Sequence, residues 1–419
     1  MKLALLFPGQ GSQFVGMGKK ICESFPVANK VFDEADEVLG FGLKKLCFEG
    51  NIDELTKTEN TQPALLTASV AAFKVYQEEI GIDPSYCAGH SLGEFSALTC
   101  AGVITFQDAL KIVRQRGKFM QEAVAIGGGA MAAISGVEIA RIEETCKSVS
   151  INGNVAVVSN YNSPDQIVIS GHQIAISEAG EILKALGARV TPLKVSAPFH
   201  SPLMQTAADK LRQELEKYSY NDFVYPVISN VSALPYKNKD EVINSLSLQI
   251  VQPVQWQKSM AYLSKFGVEA AVEVGPQTVL RNLMKKNAPQ IKAFSYDKDE
   301  DIKAMKEVLP VKAGAPKINM TVVTLCMANA VATKNNNFNN DEYQKGVVET
   351  YKKLQDMQEK IELDSRQPSV EEMREALRLL KIIFKTKRVQ EKEQSDRFNK
   401  IFKKSGTQNV FSEFEYFAS

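Results

Sequence analysis

A serine flanked by two glycines offers the clearest chemistry in this sequence of 419 residues. The pattern G-x-S-x-G is met by Gly89-His90-Ser91-Leu92-Gly93, which lies between a segment typical of a strand and one typical of a helix. Glycines on both sides allow a sharp strand-to-helix turn that presents the serine hydroxyl at the helix N-terminus. Unpaired amides and the helix dipole favour negative charge there, so the Leu92 amide is a candidate oxyanion donor. The pattern predicts a nucleophilic serine.

A serine needs a base, and the sequence contains only three histidines. His90 stands beside the serine, where the turn should point its ring inward, so we expect it to be structural. His172 falls at a predicted strand-to-helix turn, which favours a surface or capping role. His200 follows the last strand predicted for an inserted small domain, at the point where the chain should return to the larger domain described below. Elimination leaves it as the best candidate base.

Arg114 and Arg116 lie two apart on one predicted helix and therefore face different directions. Such arginines are usually solvated or paired with a nearby carboxylate. Beside a serine nucleophile, however, a buried arginine would suit bidentate binding of a carboxylate carried by the acyl group. The glycine-rich turn at 9–13 could deliver a backbone amide to the site, although its spacing does not fit a dinucleotide-binding loop.

The composition excludes several other classes of function. Lysine and arginine number 50 against 49 for aspartate and glutamate, a net charge of +1 that gives no reason to expect nucleic acid or a membrane surface as partner. No apolar run reaches the roughly 18 residues of a spanning helix, and the run at 3–7 is too short for a signal peptide. The six cysteines are scattered, and no histidine has metal-ligand spacing. We therefore expect no metal, no disulfide framework and a cytoplasmic location.

The elements that position these residues alternate between strand and helix over the first 125 residues, which predicts a parallel α/β sheet. The expected elements are a strand at 2–7, a helix at 61–80 with Pro63 in its first turn, a strand at 86–89 and a helix at 92–98. Strand-like segments resume at 227–229 and 270–274.

A second pattern occupies residues 127–196. Its expected elements are strands at 130–134, 155–158, 166–170 and 189–195 with helices at 138–149 and 173–186. The order β-α-β-β-α-β is that of a ferredoxin-like domain, here inserted into the larger one. From 316 onward the chain reads as charged helices, one of them opened by a capping box at Ser369 and Glu372. The predicted domains are 1–126 with 197–310, the insertion at 127–196, and a helical extension at 316–419.

Four separated motifs occur in an order that is specific when taken together. They are Phe7-Pro8-Gly9-Gln10-Gly11-Ser12-Gln13, Gly89-His90-Ser91-Leu92-Gly93-Glu94, Gln115-Arg116-Gly117 and Pro198-Phe199-His200-Ser201. Over residues 1 to about 300 the sequence resembles the malonyl-CoA:acyl-carrier-protein transacylases and the acyltransferase domains of polyketide synthases. The resemblance implies an α/β-hydrolase-like domain with a ferredoxin-like insertion, in agreement with the pattern of elements.

The resemblance also implies a mechanism. Ser91 would attack the malonyl thioester, His200 would accept its proton, and the backbone amides of Leu92 and Gln10 would hold the oxyanion. Arg116 would pair with the free malonyl carboxylate. Coenzyme A would then leave, and the phosphopantetheine thiol of an acyl carrier protein would take the malonyl group. No cofactor is implied in the enzyme itself.

The family orients its histidine through main-chain groups in place of an aspartate. Gln249 is the expected position of that contact, with Asn160 as a second candidate. Phe199, directly before His200, resembles the malonyl-selective form of the motif, because a bulky ring there would crowd an α-methyl group.

The extension beyond 316 resembles that of free-standing acyltransferases that serve polyketide synthase assembly lines, and malonyl loading for fatty-acid synthesis is the alternative. Other hypotheses are an acyl hydrolase acting on carrier proteins, which would have no use for Arg116, and a non-catalytic scaffold protein. An ordinary α/β-hydrolase esterase would need a histidine after His200, which the sequence lacks.

Overall fold

The computed structural model describes residues 1–123, 128–193, 195, 197–309, 321–363, 366, 368–408 and 410–411. The chain forms two compact units, Met1–Ala315 and Pro316–Ser419. The domain boundaries predicted at 126, 127, 196, 310 and 316 lie outside the described residues.

The strands of the described chain all belong to the first unit. They are β1 (Lys2–Phe7), β2 (Tyr86–Gly89), β3 (Gly129–Ser135), β4 (Ala156–Ser163), β5 (Gln166–His172), β6 (Arg189–Pro192), β7 (Val227–Ile228), β8 (Val268–Glu273) and β9 (Lys292–Ser295). Five of them form a parallel sheet in the order β7-β2-β1-β8-β9, and four form an antiparallel sheet in the order β4-β5-β3-β6. The predicted α/β class is confirmed.

The central strand of the parallel sheet, β1, explains where a site must form. All of its residues after Lys2 are buried, as expected of a strand covered by helices on both faces. Phe7 is in register with Gly89 of β2, and Leu6 is in register with Glu273 of β8. The turns that follow these strands therefore meet at one edge of the sheet, where ligands of parallel α/β folds bind.

The helices of the first unit cover both sheets. They are α1 (Lys19–Ser24), α2 (Pro26–Leu39), α3 (Leu43–Glu49), α4 (Ile52–Thr56), α5 (Thr58–Glu79), α6 (Leu92–Cys100), α7 (Phe106–Glu122), α8 (Ile139–Val149), α9 (Gln173–Ala185), α10 (Gln205–Leu215), α11 (Val242–Gln249), α12 (Trp256–Lys265), α13 (Val279–Asn287) and α14 (Asp299–Val308). The prediction for α5 was wrong at its start. The helix begins at Thr58, so Pro63 lies in the second turn, because the polar residues 58–60 continue the helix although they carry no apolar periodicity.

The antiparallel sheet with α8 and α9 has the predicted order β-α-β-β-α-β, and its own apolar cluster fills the space between sheet and helices. In this order the two strands joined by α8 are separated in the sheet by β5, as in a ferredoxin-like fold. Strand β4 runs five residues further than predicted, to Ser163, and β9 was not predicted.

The second unit is helical where it is described. Its helices are α15 (Val322–Ala332), α16 (Asn340–Tyr343), α17 (Glu349–Leu363), α18 (Val370–Thr386) and α19 (Glu391–Ser405). The predicted capping box is present at the start of α18, where Ser369 Oγ accepts the Glu372 amide. The helix α19 ends at Ser405 and is followed by Gly406, whose φ of 69° is left-handed. Across the described ranges, no helix combines the length and apolarity needed to cross a membrane.

Candidate active site

The turn between β2 and α6 holds Ser91 in a backbone conformation that few residues adopt, with φ of 52° and ψ of −106°. Neither flanking glycine has room for a side chain. A Cβ on Gly89 would overlap the backbone of Gly93, and a Cβ on Gly93 would overlap the carbonyl oxygen of Phe7. The turn therefore closes tightly against the end of β1 and exposes the serine side chain at the start of α6.

Long-range side chains hold the backbone of Ser91 in this conformation. Its N–H donates to Asn230 Oδ1 at 2.7 Å, and its carbonyl oxygen accepts from Gln249 Nε2 at 2.9 Å. The amide group of Asn230 also donates to the carbonyl of Gly89 at 2.7 Å. Polar groups that a strand or a helix would otherwise pair are thus satisfied by residues more than 130 positions away.

Ser91 and His200 form a hydrogen-bonded pair. Ser91 Oγ lies 2.8 Å from His200 Nε2, and His200 Nδ1 lies 2.6 Å from the main-chain oxygen of Gln249. A carbonyl oxygen accepts only, so Nδ1 carries the proton and the Nε2 lone pair faces the serine hydroxyl. Burial, followed by the nearby Arg116 charge, lowers the pKa of His200 to about 3. The imidazole is therefore neutral and ready to accept a proton at physiological pH.

The Arg116 side chain lies beside the same serine and is 1% exposed. Its Nη2 donates to Ser91 Oγ at 3.2 Å and to Gln249 Oε1 at 2.8 Å, whereas its Nε is buried without a partner. Burial lowers the pKa of Arg116 to about 10, so the group stays charged at neutral pH. Arg114, two residues earlier, bonds Asn60 and lies 4.3 Å over the Phe41 ring. The two arginines face different directions, as predicted.

Two backbone amides at this edge of the sheet are the ones predicted to hold an oxyanion. Leu92 is the first residue of α6, and Gln10 lies in the turn after β1. A Cβ on Gly9 would overlap the carbonyl oxygen of His90, so this turn contacts the serine turn directly. Within the described chain, no hydrogen bond occupies the amide of Gln10 or of Leu92. Both amides are therefore available to a ligand.

Phe199 is buried at 9% exposure and lines a cavity of about 550 Å³ that also contacts Gln10. Asn160 is not brought to His200. Its side chain on β4 accepts a hydrogen bond from Ser159 Oγ at 2.8 Å, and the described residues show no hydrogen bond between Asn160 and His200. Of the two candidates, only Gln249 contacts His200, and it does so through its main-chain oxygen.

The other two histidines have structural partners. His90 Nε2 lies 2.8 Å from Asn162 Oδ1, its ring lies 5.5 Å from that of Trp256, and burial lowers its pKa. His172 is the N-cap of α9, and its Nδ1 accepts the amide of Val155 at 2.9 Å.

Sequence reasoning missed a buried polar network behind the serine. Glu94 is fully buried. It accepts from Tyr236 Oη at 2.6 Å, from Gln249 Nε2 at 2.7 Å and from the backbone N–H of Asn230 at 3.2 Å. One signal could have found it, because Glu94 is the single charged residue of α6, a helix that is buried along nearly its whole length. Nothing local in the sequence marks Asn230, Tyr236 or the side chain of Gln249. Among the described residues, no group of three or more metal-ligating side chains is placed to hold a metal ion.

Comparison with known proteins agrees with this geometry. Residues 4–334 match the acyl transferase domain family. A malonyl CoA-acyl carrier protein transacylase from Bacillus subtilis is 39% identical over 392 residues, which cover 94% of this chain and 98% of that protein. Another protein of the same name, from Bacillus subtilis strain 168, is 46% identical over 309 residues, which cover 74% of this chain and 97% of that protein. The first match is too long to lie within the first unit alone, so it extends into the second, whereas the other match is no longer than the first unit.

A solved structure of a malonyl-transacylase in complex with a type II PKS acyl-carrier protein is also similar. It is 43% identical, it covers 73% of this chain and 100% of that one, and its TM-score is 0.71. The match over most of the chain and the shared fold lead to one conclusion: the chain belongs to the acyl transferase domain family, together with the malonyl CoA-acyl carrier protein transacylases.

Proposed function

We propose that this protein is an acyltransferase that moves a malonyl group from malonyl-CoA to the phosphopantetheine thiol of an acyl carrier protein. One observation carries the proposal: Ser91 Oγ lies 2.8 Å from Nε2 of the neutral His200 and 3.2 Å from Nη2 of the buried Arg116. The first contact supplies a nucleophile with its base, and the second supplies a reader for a carboxylate next to it.

In the first half-reaction, Ser91 Oγ attacks the thioester carbonyl and its proton passes to His200 Nε2. The carbonyl oxygen becomes an oxyanion held by the amides of Gln10 and Leu92. As the tetrahedral intermediate collapses, the carbon–sulfur bond breaks and the thiol of coenzyme A leaves with the proton from His200. The product is a malonyl ester on Ser91.

In the second half-reaction, the phosphopantetheine thiol takes the place of coenzyme A. His200 accepts the thiol proton, the sulfur attacks the ester carbonyl, and the proton is returned to Ser91 Oγ as the ester bond breaks. Both half-reactions use the same groups in reverse order, so the cycle is of the ping-pong type. Coenzyme A and phosphopantetheine enter as parts of the substrates, and the cycle requires no resident cofactor.

Arg116 gives this cycle its preference for malonyl. The guanidinium is buried and charged, and its Nε lacks a partner. An acyl group with no carboxylate would leave that charge unmatched, which is costly in a buried site. Phe199 adds a preference for malonyl over methylmalonyl, because its ring borders the cavity that leads to Gln10. One methyl group is worth about 1–3 kcal/mol of discrimination in such a pocket.

Intact-protein mass spectrometry tests the proposal. The protein is mixed separately with malonyl-CoA, acetyl-CoA and methylmalonyl-CoA, and the same mixtures are made with Ser91→Ala. A malonyl adduct that forms on the wild type, is absent from Ser91→Ala and is lost to a phosphopantetheine thiol supports the transferase. Rapid loss of an acetyl adduct to water would instead favour the hydrolase, and equal loading of methylmalonyl would refute the role of Phe199.

We further propose that the carrier protein belongs to a polyketide synthase. The second unit supports this, because the match to one Bacillus subtilis relative is long enough to extend into it, while the match to another relative from that species is no longer than the first unit. Two forms in one species favour two different carriers. The test is the rate of malonyl transfer to a carrier of each kind; faster transfer to the fatty-acid carrier would favour the alternative pathway.

The domain division and the location follow as part of the same proposal. We assign the acyl-transfer chemistry to 1–126 with 197–310, the small sheet to an insertion at 127–196, and carrier choice to 316–419. The six cysteines are unpaired and buried, which favours the reducing cytoplasm, where coenzyme A thioesters and carrier proteins meet.

A further inference from the structure

Glu94 has no part in the cycle above, yet it is a fully buried carboxylate within the polar network of the site. It lies in the first turn of α6, three residues after the nucleophile. One oxygen accepts from Tyr236 Oη, and the other accepts from Gln249 Nε2 and from the backbone N–H of Asn230. Three donors converge on it, so the site is built to hold a carboxylate here.

The amide of Gln249 lies between this carboxylate and Arg116 and is bonded to both. Its Nε2 donates to Glu94 Oε2 at 2.7 Å, and its Oε1 accepts from Arg116 Nη2 at 2.8 Å. The chemistry of the partners allows only one orientation of this amide. The Ser91 carbonyl can only accept and Arg116 can only donate, so Nε2 faces Ser91 and Oε1 faces Arg116.

We propose that Glu94 is a positioning residue for malonyl selectivity: through the Gln249 amide, it fixes where the Arg116 guanidinium stands beside Ser91. The inference rests on the proposed function, since it concerns how that site reads a carboxylate. Among the described residues, the side-chain partners of Ser91 Oγ are His200 and Arg116, and Glu94 acts on them only by holding the Gln249 amide in place against Arg116.

Glutamine at position 94 has the same size but carries no charge. Its NH₂ group would face Tyr236 Oη, which can accept, because Nε2 of Gln249 and the backbone N–H of Asn230 both donate to the other oxygen. A neutral amide oxygen is a weaker acceptor than a carboxylate, so the Gln249 amide would be held less firmly and Arg116 with it. Ser91 and His200 would keep their own bond.

The test compares the rates of malonyl-enzyme and acetyl-enzyme formation for the wild type, Glu94→Gln, Arg116→Ala and the double variant. Acetyl has no carboxylate, so its loading reports the Ser91–His200 pair alone. Glu94→Gln is expected to lower the malonyl-to-acetyl ratio about ten-fold, within the range of coupling between residues of one network. The same substitution is expected to leave the ratio unchanged when Arg116 is already alanine, because nothing then remains to be positioned.

Glu273→Gln serves as the matched control, because Glu273 is also a fully buried glutamate and accepts from the amides of Leu280 and Arg281. It is expected to leave the ratio at the wild-type value. Glu94→Asp, which keeps the charge but withdraws it by one methylene, provides a second variant should Glu94→Gln fail to fold, and it is expected to lower the ratio by a smaller factor.

A purely structural role of Glu94 would slow malonyl and acetyl loading by equal factors and leave the ratio unchanged. That result, or a ratio that falls as much in the Arg116→Ala background as in the wild type, overturns the inference. Failure of the proposed function would appear elsewhere, as absence of a malonyl adduct on the wild type itself.

Discussion

Replacing Arg116 with alanine is expected to remove most malonyl loading while sparing the loading of acyl groups that carry no carboxylate. A guanidinium presents two parallel N–H groups to a carboxylate, and each hydrogen bond between charged groups contributes about 1.5–3 kcal/mol. The loss is therefore about 3–6 kcal/mol. At about 1.4 kcal/mol per factor of ten, malonyl loading falls by about 10²–10⁴-fold.

The assay is the rate of acyl-enzyme formation from malonyl-CoA and from acetyl-CoA, followed by intact mass after rapid acid quench. Arg114→Ala is the matched control, because Arg114 stands on the same helix but bonds Asn60 and stacks on Phe41. It should leave both rates near the wild-type values. Equal slowing of malonyl and acetyl loading by Arg116→Ala would refute the reasoning, because the arginine would then support the fold or the nucleophile and not the carboxylate.

Three further outcomes are expected. Because burial and Arg116 hold the pKa of His200 at about 3, the neutral base is lost only as the pH falls toward that value, and the rate of acetyl loading should stay constant between about pH 8 and about pH 5. Arg116→Ala removes a positive charge and should therefore move the decline in rate to higher pH. A wild-type rate that falls by half near the ordinary histidine pKa would contradict this. Gly93→Ala forces a Cβ onto the Phe7 carbonyl and should lower the free energy of unfolding in urea by about 1–3 kcal/mol and remove most acyl loading. Gly128→Ala, which has open space around it, should change both quantities little. Equal effects of the two substitutions would be inconsistent with the close packing at Gly93. A chain shortened to the first unit should load malonyl at the wild-type rate in the mass assay, since every group of the site lies there, and loss of loading would show that the second unit supports the chemistry.

The sequence predicted those parts of the fold that local patterns determine. The apolar run at 3–7 and the strand–turn–helix around Ser91 are visible in hydrophobicity and glycine spacing, and the structure has both. The start of α5 was misplaced because residues 58–60 join the helix through backbone hydrogen bonds that leave no apolar pattern. Helix ends depend on such contacts more than on composition.

The site was predictable only where a motif carried it. Ser91, His200 and Arg116 stand in motifs with fixed local spacing, and the structure brings their side chains together. Asn230 and the side chain of Gln249 reach Ser91 from 139 and 158 residues away, with no neighbouring pattern to mark them. Their positions depend on how the loop after β7 and the end of α11 pack, which is a property of the tertiary fold.

The strained backbone of Ser91 also has a consequence for the order in which the protein acquires reactivity. The serine turn is held by Asn230 and Gln249, and the base lies at His200, all of them synthesised long after Ser91. A nascent chain that ends before Gln249 contains the serine but lacks the groups that hold its backbone, orient its base and position Arg116. On the proposed mechanism, Ser91 therefore gains its base and its backbone support only when the first unit is nearly complete.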